Sequence, residues 1–242
     1  MQRTIRCCRA TFLLRRPLLS QRLPLPLLIA KMIIVNRMKP LFVALLFTLG
    51  LVAHAADHVA PPALRATDYA CHETHEAEHV TIAADVFGTR EKTAFFRVDY
   101  PHAGFLPIRM IVTNDGDKPV NLSEARIYFV PAGGEKVKAA APADVSRRVD
   151  RLRDVQKGIF SKNHLYDKEI QADFDSFEYG ALVVEPHTTR AGFLFYDIDG
   201  LDTPLANAKL YLRSLKNANG AELFYFEVPL EKCGGPVIAS TR

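Results

Sequence analysis

The sequence predicts an all-β protein, an antiparallel β-sandwich of about seven strands with a short helical insertion. Three observations carry that reading. Leu106, Ile108, Met110 and Val112 alternate with Pro107, Arg109, Ile111 and Thr113, a period of two in which one row faces a core and the other a more mixed surface. Asp115-Gly116 follows at once and Asn219-Gly220 comes later, and such dipeptides between alternating runs mark hairpins. Only between residues 131 and 176 does the pattern change to helical spacing.

Taken from the start, residues 1–37 form a basic, Leu-rich leader that is excluded from fold reasoning. Residues 38–55 read as a signal peptide. Arg37 and Lys39 supply positive charge, Leu41 to Val52 is an apolar run too short to span a bilayer comfortably, and Ala53-His54-Ala55 gives a small-x-small site with cleavage after Ala55. The alternative is an uncleaved anchor. Nine of the 31 Lys and Arg precede position 56, where there is no Asp or Glu. The other 22 meet 27 acidic residues, a net charge of −5, so the basic balance of the whole chain gives no argument for a nucleic-acid partner. Membrane association is expected only through the signal peptide before cleavage, and the product is periplasmic or secreted.

Residues 56–79 read as a mobile linker and a His-rich lead-in. The folded domain is expected over 80–232. Val80, Ile82, Ala84 and Val86 suggest a first strand, and Ala94, Phe96, Val98 and Tyr100 a second. Phe105 to Val130 is expected to run strand, tight turn, short strand, strand. In the insertion, Val145, Val149 and Leu152 form one helical stripe, with Arg147, Arg148, Arg151 and Arg153 on the other face. Ile170, Phe174 and Phe177 form a second stripe behind an Asp167 cap, its outer face acidic through Glu169, Asp173 and Asp175. The two charged faces pair or are solvated, or else form a partner site. β-pattern returns in Gly180–Glu185, Ala191–Ile198, the Leu210/Leu212 run and the Phe224, Phe226, Val228 run, and residues 233–242 form a tail. The strand count and turn spacing are those of an immunoglobulin-like sandwich.

The segments FLPIRMIVTNDGDKPVNL, VVEPHTTRAGFLFYDI and LYLRSL…ELFYFEVPLEK resemble strand segments of uncharacterised exported bacterial proteins with an immunoglobulin-like β-sandwich domain. The resemblance covers Val80 to Lys232. It implies the fold and carries over no catalytic residue.

The sharpest chemical motif is CHETHEAEH, Cys71 to His79. His75-Glu76-Ala77-Glu78-His79 matches H-E-x-x-H, in which a helix sets two His on one face for Zn²⁺ and the Glu acts as base. The charge at Glu78 and the strand-forming Val80-Thr81-Ile82 argue against a peptidase, and no third ligand stands out downstream, though Glu91 is available. A milder reading keeps Cys71, His72, His75 and His79 as Zn or Cu ligands. It competes with a disulfide between Cys71 and Cys233, the two cysteines of the exported part. The bland alternatives are an exposed polar lead-in and two unpaired thiols. Asp197-Ile198-Asp199-Gly200-Leu201-Asp202 misses calcium-loop spacing and reads as a turn. Phosphate-loop and serine-nucleophile patterns are missing.

The sequence therefore points to a non-enzymatic exported sandwich that binds a protein or cell-envelope component and needs no cofactor. The candidate surface comprises Arg126, Tyr128, Arg147, Arg148, Arg151, Arg213 and Tyr225. The alternative is a metal-binding protein using the CHETHEAEH segment.

Overall fold

A computed structural model describes residues 58–157 and 167–233. The leader, the signal-peptide segment, part of the helical insertion and residues 234–242 of the expected tail lie outside the described residues. Ten strands are present among those described. Sheet I has the order β1 (His72–His75), β2 (Val80–Val86), β3 (Phe105–Asn114), β8 (Thr188–Asp197). Sheet II has the order β10 (Phe226–Pro229), β9 (Lys209–Arg213), β5 (Arg126–Val130), β6 (Val137–Lys138). The short pair β4 (Val120–Asn121) and β7 (Val183–Val184) stands apart. All strand pairings are antiparallel. No helix of the described residues is long and apolar enough to cross a membrane.

The expected sandwich is present in this two-sheet form. The even row of β3, with Ile82 and Tyr196 beside it, packs against Phe129, Leu210, Leu212, Phe226 and Val228 of sheet II. Each such fully buried side chain contributes roughly 1.5–3 kcal/mol relative to exposure. The odd row departs from expectation. All ten residues of β3 are buried, because a third layer covers the outer face of sheet I. Helices α1 (Pro142–Lys157) and α2 (Asp167–Phe177) and the turns of residues 87–104 make most of that layer. Their Val145, Ile170, Phe174, Phe95 and Phe96 meet Phe105, Phe193 and Phe195 in an aromatic cluster. At the other end of the face, Ala66 and Tyr69 of the amino-terminal segment pack on Ala83 and Ile111.

Several local expectations are corrected. The second strand expected around Ala94–Tyr100 is a run of turns, with the Phe96 N–H donating to Thr93 O and the Gly104 N–H to Pro101 O. Consecutive Phe95 and Phe96 both enter the same cluster, which a pleated strand does not allow. Asp115-Gly116 does not close a hairpin. Neither residue has positive φ, and the chain leaves sheet I for the β4/β7 pair. Asn114 organises this exit: its side-chain amide donates to Lys118 O at 2.8 Å and Val184 O at 3.1 Å, and its Oδ1 accepts the Gly116 N–H at 3.0 Å. Asparagine here builds an Asx turn in place of the primed turn. Gly180–Glu185 keeps only the two-residue β7 as strand. Phe224, expected in the core row, is 74% exposed, and the alternation restarts at Phe226. The Asn219-Gly220 turn does lie between antiparallel partners β9 and β10, with Gly220 at φ 79°.

The exit from α2 crosses β8 at close range. The Tyr179 N–H donates to Phe193 O at 3.0 Å, and a Cβ on Gly192 would lie 2.4 Å from Tyr179 Cα. Backbone cannot yield as a side chain would. Gly192→Ala is expected to destabilise the fold by about 3 kcal/mol, read as a lower urea midpoint. An unchanged midpoint would mean that the helix does not exit across this strand.

Candidate functional site

The outer face of sheet II is left open to solvent. Alternation along β5 and β9 turns Arg126, Tyr128, Tyr211 and Arg213 outward, and the register sets Arg126 opposite Arg213 and Tyr128 opposite Tyr211. Tyr225, just before β10, adds a third phenol, its ring 5.6 Å from that of Tyr211. Lys136, in the turn before β6, places its ammonium 4.2 Å from the Tyr211 ring centroid and 5.7 Å from that of Tyr128. Such cation–π contacts contribute roughly 0.5–1 kcal/mol at exposed sites.

The charge on this face is one-sided. Lys209 is neutralised by Glu227 at 2.8 Å, and Lys216, further along, by Glu124 at 2.8 Å. Arg126 and Arg213 have no carboxylate partner among the described residues, although like charges directly opposite across strands work against pairing. Burial pushes the Tyr128 phenol up, but hydrogen bonding and charge from Arg213 and Arg126 more than reverse this and hold it below its usual range. The face therefore presents two uncompensated guanidinium groups and a lysine over a tyrosine platform.

The arginines expected alongside them lie elsewhere. Arg147, Arg148 and Arg151 belong to α1, on the far side of sheet I. Arg148 bridges Asp197 at 2.5 Å and Asp199 at 3.2 Å, and its guanidinium sits 5.5 Å from the Phe105 ring centroid, so it tethers the helix to the turn after β8. Arg147 pairs with Asp144, and Arg151 Nε donates to the Arg147 carbonyl. The seven expected surface residues thus divide into one open patch and one helix-anchoring set. The acidic face expected on α2 is corrected too. Asp173 is fully buried, because Ile170, Asp173, Phe174 and Phe177 share one stripe. Its carboxylate accepts from the Arg97 side chain at 2.9 Å, the Arg97 and Val98 N–H groups and the Tyr100 hydroxyl.

The CHETHEAEH segment is strand and turn, not the helix that H-E-x-x-H requires. Cys71 and Cys233 are joined in a disulfide with Cα atoms 5.5 Å apart, which removes Cys71 from the expected ligand set. His72 and His75 are three apart on β1 and so fall on opposite faces. His72 Nδ1 lies 2.7 Å from the Tyr69 carbonyl, whereas His75 stacks on Phe226 at 3.8 Å and meets Glu73 at 3.2 Å. His79 occupies the following turn at φ 54°. Among the described residues, no group of three His, Cys, Asp or Glu side chains is placed to hold a metal ion.

Lys136 was not legible as part of the surface. It lies outside any strand pattern, and the only signal is the preceding Gly133-Gly134, which returns the chain over β5.

No protein-family model matches this chain, and comparison with curated proteins gives no match. A solved structure, that of a conserved hypothetical protein from Bacillus anthracis, aligns over 62% of this chain and 87% of that one, at 12% identity and a TM-score of 0.25. Similarity at that level bears on neither fold nor function.

Proposed function

We propose that this is an exported, non-catalytic β-sandwich of immunoglobulin-like topology that binds an acidic surface on a protein of the cell envelope through the open face of sheet II. The strand orders β2-β3-β8 and β10-β9-β5 support the topological part, since they are those of the two immunoglobulin sheets. A disulfide suits an oxidising compartment, and the signal-like segment of residues 38–55 suits export.

One observation carries the functional reading: Arg126 and Arg213 face each other without carboxylate partners among the described residues, beside Tyr128, Tyr211, Tyr225 and Lys136. Arginine and tyrosine are the residue types that anchor protein interfaces. A carboxylate partner would relieve the repulsion and gain bidentate bonds. The experiment is affinity capture from envelope extract, identification of the captured protein, and measurement of binary affinity with the purified pair. Binding should weaken with salt, and the double substitution Arg126→Glu with Arg213→Glu should weaken it about tenfold or more at unchanged melting temperature. Affinity insensitive to both salt and the double substitution would remove this face from the interaction.

A further inference from the structure

The two covers on the outer face of sheet I touch where His58 Nδ1 lies 2.8 Å from the Phe95 carbonyl, and the seam between them holds a buried arginine. On one side lie Pro61, Pro62 and Leu64 of the amino-terminal segment; on the other lie Phe87 and Phe95 of the aromatic cluster. Arg109 of β3 also lines the groove, which encloses about 640 Å³, within the range of small-ligand sites. Alternation sends this side chain outward with Phe105 and Ile111; Asp85 stands opposite it across the β2–β3 ladder and Glu91 also lines the groove, but neither forms an ion pair with it.

Arg109 is 8% exposed. Its Nε is buried without a hydrogen-bond partner, and its guanidinium carbon lies 5.6 Å from the Phe193 ring centroid. No hydrogen bond or ion pair to it occurs among the described residues. The other charges of the groove are already matched or lie at its rim. Asp85 pairs with Lys92 at 3.4 Å, Lys92 also donates to Val86 O at 3.0 Å, and Glu91 is exposed. A buried guanidinium nitrogen left without an acceptor is a costly arrangement. Stacking on Phe193 compensates for part of the lost hydration but gives the Nε–H no acceptor.

We infer that this groove is a binding site for a small amphipathic carboxylate, an aryl or alkyl acid whose head is held by Arg109 and whose body lies between the proline wall and Phe87/Phe95. The planar fork of arginine matches a carboxylate with two parallel N–H···O bonds. The apolar walls favour a single-charged head on an apolar body over a doubly charged, strongly hydrated phosphate. The site lies across the sandwich from the open face of sheet II and does not depend on the reading of that face.

The test uses the full-length protein with phenylpropanoate as probe and phenylpropanamide as its uncharged analogue, followed by isothermal titration. The acid should bind saturably and the amide about tenfold or more weaker. Arg109→Met keeps the length and apolar stem of the side chain and should lower affinity for the acid about 10- to 100-fold. Leu64→Glu places a like charge on the wall at a residue 55% exposed, where the fold tolerates it, and should weaken the acid by a similar factor. The inference is overturned by lack of saturable binding, by equal affinity for acid and amide, or by an affinity that Arg109→Met leaves unchanged. Should Arg109→Met not fold, unchanged affinity in Leu64→Glu overturns it equally.

Discussion

Asp173→Ala is expected to destabilise the protein by about 3–5 kcal/mol, the range found when one partner of a buried ion pair is removed. The side chain is wholly buried and accepts from the Arg97 guanidinium, the Arg97 and Val98 N–H groups and the Tyr100 hydroxyl. Alanine would strand all of these donors against apolar surroundings. The same bonds fasten residues 97–100 to α2, so the aromatic cluster would loosen with them. Near-ultraviolet circular dichroism should therefore fall along with the melting temperature. The pH dependence has a defined sign. Burial pushes the Asp173 carboxyl up, and the bonds from Arg97, Tyr100 and Val98 oppose this without reversing it. Burial first, then the neighbouring Asp173, also push the Tyr100 phenol up, so it remains the donor. A folded pKa above the unfolded one means that the folded state holds the proton more tightly. That contribution is fully present below the ordinary carboxylate pKa and is lost as pH rises through the raised one. Relative to Asp173→Asn, the wild type should lose stability on that rise. A flat difference across this window, or a cost for Asp173→Ala of under about 1 kcal/mol, would show that the carboxylate does not clamp the segment.

The parts of the fold legible in the sequence are those in which a period of two meets a single buried face. The even row of β3, the first strand from Val80 and the Leu210/Leu212 strand are of this kind. The odd row of β3 was not legible, because Phe105, Pro107, Arg109, Ile111 and Thr113 look like a mixed surface until a third layer covers them. The signal for that layer was the excess of phenylalanine at 87, 95, 96, 193 and 195, more than two facing sheets require. The spacing of Ala94, Phe96, Val98 and Tyr100 imitates a pleat, although adjacent Phe95 and Phe96 cannot both face one core from a strand. Asp173 looks like part of an acidic outer face, paired, solvated or partner-binding, when charge outweighs position, although its place in the 170, 173, 174, 177 stripe marks it as buried. The candidate surface was legible in part. Alternation alone gave Arg126, Tyr128 and Arg213, whereas grouping them with Arg147, Arg148 and Arg151 required knowing that α1 lies on the other sheet.

Breaking the disulfide, by Cys71→Ala together with Cys233→Ser, is expected to cost about 5 kcal/mol and to lower the melting temperature by roughly 10–20 °C. The bond spans 162 positions, so its loss returns to the unfolded chain the freedom of nearly the whole domain. Its location adds a local effect. Strand β1 doubles back on β2 through the turn of residues 76–79, which carries Cys71 beside Ala84, whose N–H donates to the Cys71 carbonyl at 2.9 Å. Cys233 follows β10, the edge strand of the other sheet, so the bond fastens two edges that share only short ladders with their neighbours. His75 on Phe226, and the Glu227 N–H on Glu73, bridge the same edge and depend on β1 staying in place. Reduction should therefore speed amide exchange in His72–His75 well before it reaches β3, which is hydrogen-bonded on both sides and buried along its length. Reductant should reproduce the loss in the wild type and leave the double variant unchanged. Equal melting temperatures with and without reductant would mean that the closed loop contributes nothing, and that β1 is held by its ladder to β2 and its side-chain contacts with β10 alone.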